Sequence, residues 1–225
     1  MMSLRHRAMI GKRKKFLDDI VFWLKANEPS TIELDSESRV NRIYDYLGSG
    51  KSYIKAGSLG PQFSSDGLIF NYALNRNLIA NEPESSFRFY SGTAKTIIFR
   101  GSLTAPDQNN KGIIGSDSKS ILDQYTLTRV RFFENTSLLY TLMDLNPNFF
   151  IAMSIGDVGN NVDRPAKIYV NNTFINVLVD TTTDFNFNRI GKGPLGDFHG
   201  EMKDFIHYNR QLSEAEILRW KTNLG

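Results

Sequence analysis

Phe198-His199-Gly200-Glu201-Met202-Lys203-Asp204-Phe205-Ile206-His207-Tyr208-Asn209-Arg210-Gln211-Leu212-Ser213-Glu214-Ala215-Glu216-Ile217-Leu218 changes its hydrophobic period part-way along. From Met202 to Tyr208 the residues alternate. Met202, Asp204, Ile206 and Tyr208 take one side and Lys203, Phe205 and His207 the other, which is the period of a strand. Ile206 is expected between two sheets. After Arg210 the signals are those of a helix start. Ser213 with Glu216 three residues later forms a capping box, and Leu212 with Ile217 occupies the positions of a hydrophobic staple.

Working outward, short strand patterns recur at 39–45, 52–55, 67–71, 86–90, 95–100, 111–115, 127–133, 138–143, 149–156, 166–170, 173–179 and 186–190, besides 200–208. Clusters of Asn, Asp, Gly and Pro separate them. Residues 19–25 fit either a helix face or a strand. Lys167-Ile168-Tyr169-Val170-Asn171-Asn172-Thr173-Phe174-Ile175 reads as a tight hairpin turning at the two asparagines. Many short, evenly spaced strands and one terminal helix predict a β-sandwich. At 225 residues, 40% hydrophobic and 12% aromatic, the chain suits one globular domain. It has no cysteine, hence no disulfide framework or thiolate zinc site. No apolar run approaches the length of a membrane span.

The closing segment resembles that of laminin G-like domains in the concanavalin A-like lectin/glucanase superfamily. It shares the alternating strand, Tyr208-Asn209-Arg210, Leu212-Ser213 and the Glu-rich helix. Val21-Phe22-Trp23-Leu24-Lys25-Ala26, Arg39-Val40-Asn41-Arg42-Ile43-Tyr44-Asp45 and Asp66-Gly67-Leu68-Ile69-Phe70 follow in the family's order. Where the family has Trp-x-Asp-x-Ser-Gly, this chain has Ile43-Tyr44-Asp45-Tyr46-Leu47-Gly48. The resemblance spans about residues 19–224. It implies an all-β, laminin G-like jelly-roll sandwich with a short C-terminal helix, and it favours a strand at 19–25.

The net charge of +3 hides a partition. Residues 1–15 hold six of the 27 Lys and Arg and no acid, leaving 21 bases against 24 acids, net −3, in the rest. The domains are therefore read as a basic arm, 1–15, and a sandwich, 16–225. No apolar h-region follows the basic residues, so a secretory signal is not expected and synthesis in the host cytoplasm is. The arm, with Arg5, Arg7, Lys12, Arg13, Lys14 and Lys15, has few aromatics for nucleic acid and little apolar surface for a membrane. It suits a docking tail that orders on a partner. Met2-Ser3-Leu4-Arg5-His6-Arg7-Ala8-Met9 before such a domain is similar to the N-termini of bacteriophage virion proteins. That resemblance implies a non-enzymatic structural and binding module in the virion. The arm would hold other virion proteins, the sandwich would take a glycan or pack against neighbours, and a homo-oligomer falls within the same reading.

Three motifs compete with this reading. Glu33-Leu34-Asp35-Ser36-Glu37 matches the Glu-x-Asp-x-Glu signature of the superfamily's retaining glucanases, whose alternate carboxylates flank a glycosidic bond. A glycoside hydrolase working through Glu33, Asp35 and Glu37 is therefore the alternative. The polar flanks and the early position instead predict a turn leading into the next strand. Gly48-Ser49-Gly50-Lys51-Ser52 ends like a phosphate-binding loop, but Asp45 stands where the first glycine belongs, so a glycine turn is expected. Gly191-Lys192-Gly193-Pro194-Leu195-Gly196 precedes a strand rather than a helix and is expected to be a rim loop.

His6, His199 and His207 lack metal-ligand spacing and are expected at the surface or partly packed. Ligand binding is assigned to Asp157, Asn160, Asn161 and Asp163. Their loop, 156–163, and Asp107-Gln108-Asn109-Asn110 are rich in hard oxygen donors that suit calcium. The same residues are good turn formers, so the metal stays open.

Overall fold

A computed structural model of the chain describes residues 17, 19–71, 74, 76–81, 88–89, 94–103, 111–116, 120–126, 129–132, 140–141, 148–156, 164–170, 172–179, 185–186, 188–193 and 196–224. The closing strand, Gly200–Tyr208, lies inside an eight-stranded sheet. One side of it pairs along its length with Lys95–Leu103. The other side is shared. Residues 200–202 pair with Leu68–Phe70, and residues 204–208 pair with Ile20–Lys25. Beyond Lys95–Leu103 follow Asn148–Ile155, Arg164–Val170 and Thr173–Val179, all antiparallel, while Gln62–Phe63 flanks Leu68–Phe70.

A second sheet of eleven strands faces the first. Its order is Tyr140–Thr141, Arg129–Phe132, Ser120–Thr126, Lys111–Gly115, Arg189–Ile190, Leu78–Ala80, Ser52–Lys55, Val40–Tyr44 and Ile32–Leu34, with Lys192–Gly193 and Gly196–Asp197 attached beside Lys111–Gly115. The architecture is an all-β jelly-roll sandwich with one short C-terminal helix, Glu214–Leu224.

Two apolar clusters explain why the closing strand is buried on both faces. The first fills the space between the sheets. It joins Val40, Ile43, Tyr53, Leu78 and Ile190 of the larger sheet to Phe22, Leu24, Ile97, Phe99, Ile151, Met202 and Phe205. The second lies on the outer face of the eight-stranded sheet, where Ile98, Ala152, Tyr169, Ile206 and Tyr208 meet Leu212, Ile217 and Trp220. Ile206 therefore sits beneath the helix, not between the sheets as expected. Alternation tells which residues share a face, but here both faces are covered and hydrophobicity alone could not rank them. A register shift between Met202 and Asp204 breaks the alternation as well, so Met202 joins the inter-sheet cluster while Asp204 faces outward.

The helix begins as its capping box predicts. The Glu216 amide donates to Ser213 Oγ at 3.3 Å, and the Ser213 amide donates to Glu216 Oε2 at 2.9 Å. Leu212 and Ile217 share the outer cluster, completing the staple. Trp220 Nε1 donates to the Tyr208 hydroxyl at 2.9 Å, which ties the helix to the strand. Burial pushes the Tyr208 hydroxyl above its ordinary pKa.

Other expectations needed correction. Residues 20–25 are a strand, but Leu78–Ala80, Ser120–Thr126 and Ile32–Leu34 are strands that the patterns did not mark. The 186–190 pattern is two short strands in different sheets, Phe185–Asn186 and Arg189–Ile190. Gly191 to Gly196 is not a rim loop. Lys192–Gly193 and Gly196–Asp197 form a small hairpin, and a side chain at Gly112 would meet Gly193 Cα at 2.2 Å, so the hairpin packs glycine on glycine. His207 is fully buried rather than exposed or partly packed; its ring lies 5.4 Å from that of Phe22.

Candidate ligand-binding surface

The helix covers only part of the outer face. Beyond its C-terminal end, cross-strand register aligns Lys25, Asp204 and Arg100 in one row. The next row runs through Gln62, Ile69, Glu201, Ser102 and Asn148. Asp204 anchors the first row. Its Oδ2 lies 2.7 Å from both Nε and Nη2 of Arg100, and its Oδ1 accepts from Trp23 Nε1 at 2.9 Å. Arg100 also donates to the carbonyl of Leu224 at the helix end. In the second row Glu201 accepts from Ser64 Oγ at 3.3 Å and lies 3.8 Å from Lys203 Nζ. Lys25 Nζ lies 3.6 Å from Glu28. Lys25, Arg100 and Lys203 thus face Glu28, Asp204 and Glu201, so the surface is balanced in charge and offers both donors and acceptors.

An aromatic ledge borders these rows. The Trp23 ring meets Tyr46 edge-to-face at 5.0 Å and Trp220 at 5.1 Å. Lys25 Nζ lies 4.7 Å from the centre of the Tyr46 ring. Tyr46 and Leu47 are 40% and 42% exposed at the tip of the 45–51 turn.

The turn is held from below by Asp45, which is 4% exposed. Asp45 Oδ1 accepts from the Trp23 amide and Oδ2 from the Ser49 amide, each at 2.7 Å. The Tyr46 amide donates to the Trp23 carbonyl at 2.8 Å. Gly48 and Gly50 take the positive φ angles, +77° and +82°, that the reversal demands. The glycine turn expected here is therefore present, and the aspartate that spoiled a phosphate loop is its central support. This site was missed at the sequence level, because the partners Trp23, Asp45, Arg100 and Asp204 come from distant segments.

Asp157, Asn160, Asn161 and Asp163 lie outside the described residues, as do Asp107 to Asn110 and the arm residues Arg5, Arg7, Lys12, Arg13, Lys14 and Lys15. The described residues that flank the loop and the arm end on one rim. Ile155 pairs with Lys95, Thr96 with Tyr208 and Tyr208 with Ile20. At that rim Arg210 Nε lies 3.2 Å from Asp19. Among the described residues no group of three or more His, Asp or Glu side chains could hold a metal ion.

Glu33, Asp35 and Glu37 are on the edge of the larger sheet. Glu33 lies in the edge strand and accepts from the Tyr44 hydroxyl. Asp35 caps the turn that follows. It accepts from the amides of Glu37 and Arg39 at 2.9 Å and from Arg39 Nε at 2.9 Å. The Arg39 amide above all holds the Asp35 carboxyl at about 2. Glu37 is exposed beside Arg39. Asp35 thus serves a turn leading into Val40–Tyr44, as the polar flanks predicted, but Glu33 lies in a separate strand, Ile32–Leu34, that was not expected. His207 is held well below the ordinary histidine range by burial, reinforced by the charges of Lys95 and Lys51.

No protein-family model matches the chain, and no curated protein matches it in sequence. Solved structures share its fold. A mutant of Trypanosoma rangeli sialidase displaying trans-sialidase activity superposes with a TM-score of 0.61 at 11% identity, covering 92% of this chain and 34% of that one. The binding domain of botulinum neurotoxin DC, in complex with rat synaptotagmin II, gives 0.60 at 15% identity, covering 93% and 52%. The same toxin domain in complex with SialylT gives 0.54 at 15% identity, again covering 93% and 52%. The chain thus spans about a third of the sialidase and about half of the toxin domain. These are lectin-like β-sandwiches, and at such identities the likeness is one of fold.

Proposed function

We propose that the chain is a non-enzymatic structural and binding module of a bacteriophage virion. In this reading it is a laminin G-like sandwich that takes a glycan beside Tyr46 and docks on other virion proteins through its basic arm. The observation that carries the ligand reading is the half-exposed Tyr46 ring, fixed by buried Asp45 beside a charge-balanced row of donors and acceptors. A polyhydroxylated ring has apolar C–H faces for an aromatic side chain and hydroxyls that both donate and accept, so it suits such a surface. A balanced charge disfavours polyanions, which need excess cations. Anchoring by a capped turn keeps the ordering cost of binding low. The similarity to a toxin binding domain supports a binding role for the fold. The virion setting rests on the resemblance of the arm.

Calorimetry of the purified full chain against a panel of neutral and sialylated oligosaccharides tests this. We expect binding that Tyr46→Ala weakens about tenfold while the thermal melt stays in place. No binding across the panel would overturn the ligand reading. Release of reducing sugar that disappears in Glu33→Gln would show an enzyme instead. Removal of residues 1–15 is expected to abolish incorporation into particles without moving the melt, and particles that retain the shortened chain would remove the arm's role.

A further inference from the structure

Two lysines, one from each sheet, meet at one end of the core. Lys95 opens the strand Lys95–Leu103, whose Ile97 and Phe99 belong to the inter-sheet cluster, so alternation turns Lys95 to that same face. Lys51 stands two residues before Tyr53, which is in the cluster from the other sheet. The Asp45 amide donates to the Lys51 carbonyl at 2.9 Å, which carries the pairing of these strands through Lys51. His207 lies between the two. It pairs with Ile97 and is fully buried. Its ring is 5.4 Å from that of Phe22, which is 5.9 Å from that of Tyr53. The charges of Lys95 and Lys51 both act on this one imidazole. The two ammonium groups therefore converge above it.

Neither cation is answered by an acid among the described residues. Lys95 Nζ donates to the Asn209 side-chain carbonyl, a neutral partner. The acids at this end are engaged elsewhere. Asp45 accepts from the amides of Trp23 and Ser49, and Asp19 and Glu216 pair with Arg210. Both lysines are half-buried, where lysine seldom stays without an opposite charge. Burial lowers the Lys95 pKa from its ordinary value. A small oxyanion with two negative charges would cancel both cations and accept from both ammonium groups. We propose that Lys51 and Lys95 bind a phosphate dianion, as inorganic phosphate or a phosphate monoester, at the end of the core above His207. An extended polyanion does not suit the place. The cations are set between the sheets rather than along an open row, and residues 16–225 hold 21 bases against 24 acids. The proposal is independent of the glycan reading, since Tyr46 packs on Trp23 and the outer cluster while the lysines face the inter-sheet space.

Titration of the full chain with inorganic phosphate, followed by calorimetry and by the thermal melt against chloride of equal ionic strength, is the test. Phosphate is expected to bind and to raise the melt. Lys51→Met and Lys95→Met should each weaken binding about tenfold, the loss of one charge-assisted contact. Lys95→Arg, which keeps the charge, should retain most of it. In chloride both methionine variants should melt at or above the parent, because each removes a half-buried cation that no acid offsets, so lost binding will not reflect lost folding. Tyr46→Ala should leave phosphate binding in place. Glucose 6-phosphate separates the two sources: tighter binding than inorganic phosphate identifies an ester as the ligand, and equal binding identifies the free ion. Phosphate that acts no differently from chloride overturns the proposal, and so does phosphate binding indifferent to both lysines.

Discussion

A single carboxylate oxygen of Asp204 receives both Nε and Nη2 of Arg100 at 2.7 Å, and the carboxylate is only 1% exposed. Through Arg100 the charge reaches the Leu224 carbonyl, and through the other oxygen it reaches Trp23. One acid thus joins two strands, the first aromatic of the ledge and the end of the helix.

Removing that acid should leave a partly buried guanidinium without its partner. Asp204→Ala is expected to cost about 3 kcal/mol in urea unfolding, because a broken buried pair loses the attraction and keeps the desolvation. Arg100→Ala and the double variant complete a cycle. Strict additivity would show that the two residues do not act together.

Asp45→Ala should cost about 2 kcal/mol, since two amides lose a shared buried acceptor. It should also loosen Tyr46 and weaken glycan binding more than its effect on the melt suggests. Unchanged stability together with unchanged binding would show that the turn holds its shape without Asp45.

Ser213→Ala removes a helix cap and should cost about 1 kcal/mol. Ile206→Asp should cost several times more, about 4 kcal/mol, by burying an unpaired charge under the helix. The chain has two tryptophans, Trp23 and Trp220, and they touch each other across the helix contact. Ile206→Asp should therefore shift tryptophan emission to the red before the sheet signal is lost in urea. Emission and sheet signal lost together would mean that the helix does not undock separately.

Glu216 gives a pH signature. The hydrogen bond from Arg210 lowers its pKa from 4.5 to about 2, against the opposing effect of burial. A carboxylate lowered in the folded state stabilises fully above its unfolded value, and that contribution fades as pH falls from about 4.5 to 2. The stability gap between the parent and Glu216→Gln should be steady at neutral pH and close over this acid range. A gap that does not narrow there would exclude the Arg210 pairing.

The closing strand and the helix start were legible because local chemistry decides both: alternation for 204–208, which a register shift interrupts before Asp204, and Ser213 with Glu216 for the cap. The facing of Ile206 was not, because a strand covered on both sides carries no polar face to mark the outside. Ser120–Thr126 went unmarked because Asp123 and Gln124 interrupt an apolar run, although Asp123 is buried in the fold. The ledge was invisible for a different reason. Asp45 reads as a turn residue, and only the folded chain brings Trp23 to it across 22 positions.

The strand that completes the sheet's pairing, Gly200–Tyr208, leaves the ribosome after every other described strand of the sandwich. Until it arrives, Ile20–Lys25 lacks the one strand that pairs with it among the described residues, and Lys95–Leu103 lacks its partner along one side. Most of the chain must therefore wait unfinished during synthesis, with apolar strands accessible to other chains. A nonsense mutation or a protease cut shortly before residue 200 would remove this strand and the helix from the sandwich and leave a product suited to aggregation rather than a smaller working domain.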